Sequence, residues 1–151
     1  FNCPGFAINA SVLCVLAQRL VRRVCTDCAR PYQPDQSILR RFADKGLSQF
    51  RRGGGCPRCL NSGFRGRVGV YEMVRMSQDM QLAVERNAST AQLRAEAIKG
   101  GMRPMWLDGL EKARVGVTTL EEVAMIAAGT VETDTAPALP ARGHEEMRLS
   151  A

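Results

Sequence analysis

Two Cys-x-x-Cys pairs constrain this chain more than any other feature. They are Cys25-Thr26-Asp27-Cys28 and Cys56-Pro57-Arg58-Cys59, and 27 residues separate them. This is the spacing of a four-thiolate metal site. Zinc has no preferred d-electron geometry and takes four thiolates in a tetrahedron, and a two-residue gap lets one tight turn present both sulfurs to one ion. Thr26, Asp27, Pro57 and Arg58 are turn formers or polar residues suited to such loops. Gly53, Gly54 and Gly55 precede the second pair and supply backbone freedom, and Gly63 and Gly66 follow it. The candidate ligands are therefore Cys25, Cys28, Cys56 and Cys59. The alternatives are two disulfides, four unconnected buried cysteines, or iron in a rubredoxin-like site. A closed four-sulfur shell leaves no position for water, so the expected role of the metal is structural.

The chain has 151 residues, enough for one ordinary domain or two small lobes. Its charge is unevenly placed. Residues 1–67 hold 12 Arg or Lys against 3 Asp or Glu, whereas residues 68–151 hold 9 against 12. The basic half contains the cysteine stretch. A basic face can meet phosphates, acidic protein or an anionic membrane surface, and the plain alternative is a solvated arginine-rich surface. No leader-like segment and no apolar run of membrane-spanning length is present, so neither export nor direct membrane insertion is expected.

Local patterns place the cysteines between strands. A short helix is expected after Pro4. Leu13 to Val24 ends in alternation, which predicts a strand leading into the first pair, with a helix as the alternative. Asp35 caps a predicted helix to about Lys45 that packs over the metal site. Gly63 to Val74 alternates and predicts a second strand. Helices then follow: Ser77 to about Asn87; one capped by the Ser89-to-Gln92 box and ended by Gly100-Gly101, with Leu93, Ala97 and Ile98 inward; Pro104 to about Val115; and a last one entered through overlapping boxes at Thr118 and Thr119 and ending near Gly129. Trp106, Met102 and Met105 are expected in the core. Residues 130–151 read as a disordered tail.

Enzymatic constellations are missing from this stretch. No Gly-x-x-x-x-Gly-Lys-Ser/Thr loop occurs, so these residues do not cradle nucleotide phosphates in the usual way. The single histidine, His144, lies in the tail. Cys3 and Cys14 have no partner at ligand spacing and are expected as buried small apolar residues. No catalytic or cofactor-binding residue is assigned.

Three runs carry a resemblance. The first is Leu16-Ala17-Gln18-Arg19-Leu20-Val21-Arg22-Arg23-Val24-Cys25, followed by Cys28. The second is Gly55-Cys56-Pro57-Arg58-Cys59 through Gly63-Phe64-Arg65-Gly66-Arg67-Val68-Gly69-Val70-Tyr71-Glu72. The third is Gly109-Leu110-Glu111-Lys112, then Gly116-Val117-Thr118-Thr119-Leu120-Glu121-Glu122-Val123. In this order the chain resembles the C-terminal part of the type II secretion and type IV pilus assembly ATPases, over about Phe6 to Ala127. The resemblance implies a tetracysteine metal-binding subdomain inserted after a RecA-like core, with Cys25, Cys28, Cys56 and Cys59 as Zn2+ ligands. It implies a parent protein that hydrolyses ATP with Mg2+ as a hexameric motor, its phosphate-binding loop upstream of Phe1. It departs from that family at Cys3-Pro4-Gly5-Phe6, which is off-register, and at Cys14, where glycine is common. Gln18 and Arg19 would fall at the end of the core, near a nucleotide or a subunit boundary.

The expected architecture is α+β: the end of a RecA-like core over residues 1–24, a tetracysteine zinc-binding subdomain over 25–75, a C-terminal helical lobe over 76–129 and the tail over 130–151. The expected partners are neighbouring subunits of a homohexamer and an inner-membrane platform protein, with no nucleic acid. The expected location is cytoplasmic, peripheral at the inner membrane through partners. The competing functions are a zinc-ribbon nucleic-acid binder and a free-standing zinc-stapled adaptor.

Overall fold

The two strands that flank the cysteine stretch pair with each other. In the computed structural model, which describes residues 3–42 and 49–127, β1 (Cys14–Val24) and β4 (Phe64–Arg75) run antiparallel. Their register sets Leu16 opposite Met73, Gln18 opposite Tyr71 and Val21 opposite Val68, and it shifts between Arg22 and Val24, where the chain leaves for the first cysteine pair. Leu13 to Val24 is thus a strand, as its terminal alternation predicts, and the helical alternative falls. One face of this ribbon is covered: Val21 and Val70 are buried. The opposite face leaves Leu16, Leu20 and Met73 more than half exposed.

The chain between the strands forms a second, smaller ladder. β2 (Ala29–Pro31) pairs antiparallel with β3 (Arg51–Gly53). Between them lies α2 (Gln36–Arg41), whose first turn is capped by the Asp35 carboxylate accepting from Ser37 N at 2.7 Å. The expected extension of this helix to Lys45 runs past the described residues. α2 does not take its expected place over the cysteines. It buries Leu39 in a core shared with the C-terminal helices, because Leu39 and Phe42 are large apolar groups that need more partners than a small metal knuckle supplies.

Preceding the ribbon is α1 (Gly5–Ser11), and following it are α3 (Gln78–Glu85), α4 (Thr90–Lys99), α5 (Met105–Arg114) and α6 (Leu120–Ala127). The predicted caps hold at Ser77, which accepts from Met80 N, and at Ser89, whose box with Gln92 is closed in both directions. Gly116, at φ +75°, reverses the chain after α5. The first turn of α5 finds its acceptor on the ribbon: Met105 N donates to Glu72 Oε2 at 3.1 Å, and Asp108 Oδ2 accepts from Tyr71 N at 2.9 Å. These bonds satisfy a helix-end donor and lock α5 across β4.

Apolar burial falls into two clusters. The larger joins Leu39, Phe42 and Phe50 to Trp106, Leu107, Leu110, Ala113, Leu120, Val123 and Ala127. The smaller gathers Met80, Ala97 and Met102, with Leu93 partly buried beside them. Trp106 and Met102 are core residues as expected, whereas Ile98 faces solvent at 37% exposure. Cys3 and Cys14 are exposed, contrary to the expectation that they fill core. Cys14 opens β1 at the end of the ribbon, opposite Arg75, where no described residue buries it. The expected tail over 130–151, with His144, lies outside the described residues. No helix among the described residues is long and apolar enough to cross a membrane.

Candidate metal centre

The second cysteine pair is shaped by a short 3-10 turn over Pro57–Cys59. Proline presets the first turn position, and Cys59 N then closes on Cys56 O at 3.1 Å. Leu60 and Asn61 follow in the left-handed region, at φ 51° and 59°. That reversal brings Asn61 N onto Cys56 O at 3.0 Å and lets Gly63 N donate to Cys59 Sγ at 3.3 Å. Cys56 N donates to the same sulfur at 3.2 Å. The first pair is fastened to this loop through the main chain: Cys25 N donates to Gly63 O, and Gly54 N to Cys28 O, each at 3.0 Å.

One glycine before the second pair does the work expected of it and another does not. Gly55, at φ +94°, needs the left-handed freedom. Gly53 is required for close approach instead: a Cβ there would lie 2.0 Å from Gly63 O. The two backbones touch directly, and this contact sets the separation of the cysteine pairs.

All four sulfurs lie within 4.8 Å of one another. Cys25 and Cys56 stand 3.8 Å apart, Cys28 and Cys59 3.8 Å, and Cys56 and Cys59 3.6 Å. Four thiolates placed about 2.3 Å from one centre at tetrahedral corners stand about 3.8 Å from each other. The set therefore fits a four-coordinate metal ion. A disulfide would need a separation of about 2.05 Å, and all four cysteines are free. They are also a single cluster, not four scattered core residues.

Electrostatics agree with a cation site. Burial pushes the Cys28 thiol up to about 12. Burial also acts against Cys59, but the N–H groups of Cys56 and Gly63 outweigh it and hold that thiol down at about 6. One sulfur thus ionises readily, while ionising Cys28 calls for the positive charge of a metal. Outside the cluster, Arg58 and Arg65 reach the Asp27 carboxylate at 3.4 and 3.7 Å.

The base of the site is clasped by Glu122, a residue whose spacing from Thr119 predicts only a helix cap. Glu122 is buried, and its carboxylate accepts from Arg22 N at 2.9 Å, Arg22 Nε at 3.0 Å and Arg22 Nη2 at 2.7 Å. Thr118 Oγ1 donates to Arg22 O at 2.8 Å, and Val24 N donates to Val117 O at 3.0 Å. Of the two overlapping boxes, only the hydroxyl half at Thr119 forms, accepting from Glu122 N at 3.4 Å. Neither carboxylate turns back to close a box: Glu121 accepts from the Tyr32 hydroxyl at 2.6 Å. The available signal was composition, since Glu121 and Glu122 are the only polar residues of an otherwise apolar α6.

Comparison with known proteins matches residues 1–125 to the model of the family described as type II/IV secretion system protein. The chain belongs to this family. Among its members, the type IV pilus assembly ATPase PilB of Thermus thermophilus is 38% identical over 125 residues, covering 78% of this chain and 14% of that protein. The type II secretion system ATPase E of Vibrio cholerae is 37% identical over 123 residues, covering 80% and 24%. The PilB of Myxococcus xanthus is 37% identical over 127 residues, covering 78% and 22%. The chain thus spans less than a quarter of the length of these members of the secretion system family. Each stretch that carries the resemblance lies within the matched residues, including all four clustered cysteines.

Proposed function

We propose that this chain is the C-terminal portion of an ATPase that powers type II protein secretion or type IV pilus assembly, and that Cys25, Cys28, Cys56 and Cys59 hold one structural Zn2+. The observation that carries the proposal is four cysteine sulfurs all within 4.8 Å of one another, three of the pairs at 3.6–3.8 Å, in a chain of the secretion system family. Zinc bound there would supply four bonds joining two loops that have little apolar material of their own. Zinc is favoured over iron because a redox ion adds nothing to a staple.

In this proposal residues 1–24 end a RecA-like core, 25–75 form the zinc subdomain and 76–129 form the helical lobe. ATP and Mg2+ are bound by the rest of the parent protein, and this portion does not hydrolyse ATP alone. It contributes contacts with neighbouring subunits of a homohexamer and with an inner-membrane platform protein, on the cytoplasmic side. Phe50 is buried, and Arg52 and Arg22 lie over the Tyr32 and Phe64 rings, so of the aromatics Tyr32, Phe50, Phe64 and Tyr71 the last alone is exposed, which disfavours the nucleic-acid alternative.

Elemental analysis of the purified chain tests the metal assignment. One zinc per chain is expected, and replacement by Co2+ should give the visible bands of a tetrahedral four-sulfur site. A protein that retains no metal, or that carries iron, overturns it. The native polypeptide tests the motor assignment: a far heavier product with a phosphate-binding loop upstream and ATP hydrolysis is expected, and a native product of this size refutes it.

A further inference from the structure

Leu60 occupies a position where both backbone and solvent disfavour leucine. Its φ of 51° is left-handed, a conformation that glycine or asparagine adopts at lower cost. It is also 90% exposed, the most exposed of the large apolar residues described. The knuckle needs the turn, since the reversal at Leu60 and Asn61 aims Gly63 N at Cys59 Sγ, but it does not need the isobutyl group. No described part of the chain covers that group.

The surroundings are charged in one sense. Arg58 lies two residues before Leu60, and Arg58 and Arg65 converge on the single carboxylate of Asp27 with side chains 71% and 62% exposed. Arg67, two residues on in β4, is also exposed. Residues 25–67 hold nine Arg or Lys against three Asp or Glu, so this segment keeps a positive excess even after the formal −2 of four thiolates on one Zn2+ is counted. An apolar knob on a backbone pinned by main-chain and N–H to sulfur bonds, beside two oriented guanidinium forks, is a preorganised protein-binding element. A bilayer fits less well, because it would gain only one inserted leucine, too little apolar area to anchor on a membrane.

We propose that the tip of the second cysteine knuckle, Leu60 with Arg58 and Arg65, docks into an apolar pocket rimmed by carboxylates on a different protein. Leu60 is the anchor and the arginines set its orientation.

Two measurements test this. In the full metal-loaded chain, Leu60→Gly should keep its metal and melt at the same or a higher temperature. A lower melting temperature or lost metal means that Leu60 supports its own fold, and overturns the proposal. In the native cells, p-benzoylphenylalanine at position 60 of the full-length protein is irradiated and its adducts are sequenced. The expected adduct is with a different protein, at an apolar site flanked by Asp or Glu. It should be lost with Arg58→Glu plus Arg65→Glu and regained when those partner carboxylates are changed to lysine. Should the double reversal cost metal, Arg58→Gln plus Arg65→Gln replaces it, and a reduced adduct yield is expected. An adduct with lipid, with a second copy of this chain, or with a protein indifferent to these charges overturns the proposal, as does no adduct.

Discussion

Arg22 is where the ribbon, the cysteine loops and the last helix meet. Its main-chain N, its side chain and its carbonyl are all taken by the segment that enters α6. Burial alone would raise the Glu122 carboxyl, but the bonds from Arg22 outweigh it and hold the group below the usual carboxylate range. A depressed carboxylate stabilises the fold above its unfolded pKa of about 4.3, and that contribution is lost as pH falls through the lower folded value. Glu122→Gln should therefore cost about 1–2 kcal/mol at neutral pH, the lower part of the range for charge-assisted hydrogen bonds, because the Arg22 side chain is 56% exposed and can rehydrate. In urea unfolding, the gap between wild type and Glu122→Gln should stay constant from about pH 8 to pH 5 and narrow below that. A gap that widens as the solution is acidified would contradict the sign of the shift.

Elements were legible wherever local chemistry decided them. The caps at Asp35, Ser77 and Ser89, the two long strands and the four-cysteine cluster all follow from residue type and spacing over a few positions. What was not legible depended on contacts distant in sequence. Glu122 meets Arg22 from 100 positions away. Leu39 and Phe42 find their partners in α5 and α6, and Gly53 matters only because Gly63 lies against it. No window of sequence reports such pairings. Gly53 gives the prediction at this scale. The contact atom is main chain, so Gly53→Ala cannot be absorbed by a rotamer and must displace β3 or the Gly63 loop. Gly63 donates to Cys59 Sγ and accepts from Cys25 N, so a displaced loop misplaces two of the four sulfurs. Loss of such supporting bonds typically weakens metal affinity about 10–100-fold. Competition with a chromogenic chelator measures this directly, and Gly54→Ala, whose added Cβ meets the Arg30 side chain in place of backbone, should fall well short of that loss.

Across the whole molecule, the cysteine loops and the C-terminal helices are one mechanical unit, because the segment between the cysteine pairs contributes to the helical core. Leu39, Phe42 and Phe50 are buried with Trp106, Leu110 and Val123, and the Phe42 and Trp106 rings lie 5.9 Å apart. The ends of that segment are held where β2 and β3 meet the two cysteine pairs, through Gly54 N to Cys28 O and Cys25 N to Gly63 O. Stripping the metal should free those ends and slacken Phe42 and Phe50 on the helices. Trp106 is the chain's single tryptophan, so its emission reports this packing without labelling. Removal of metal with a strong chelator is expected to shift Trp106 emission to longer wavelength, and re-addition of Zn2+ to restore it. Far-ultraviolet circular dichroism should keep the signal of α3 and α4, whose core of Met80, Ala97 and Met102 does not include that segment. An unmoved tryptophan spectrum after complete metal loss would show that the knuckles and the helices are mechanically separate. In that case strain applied at the cysteine tip would not be transmitted to α5 and α6.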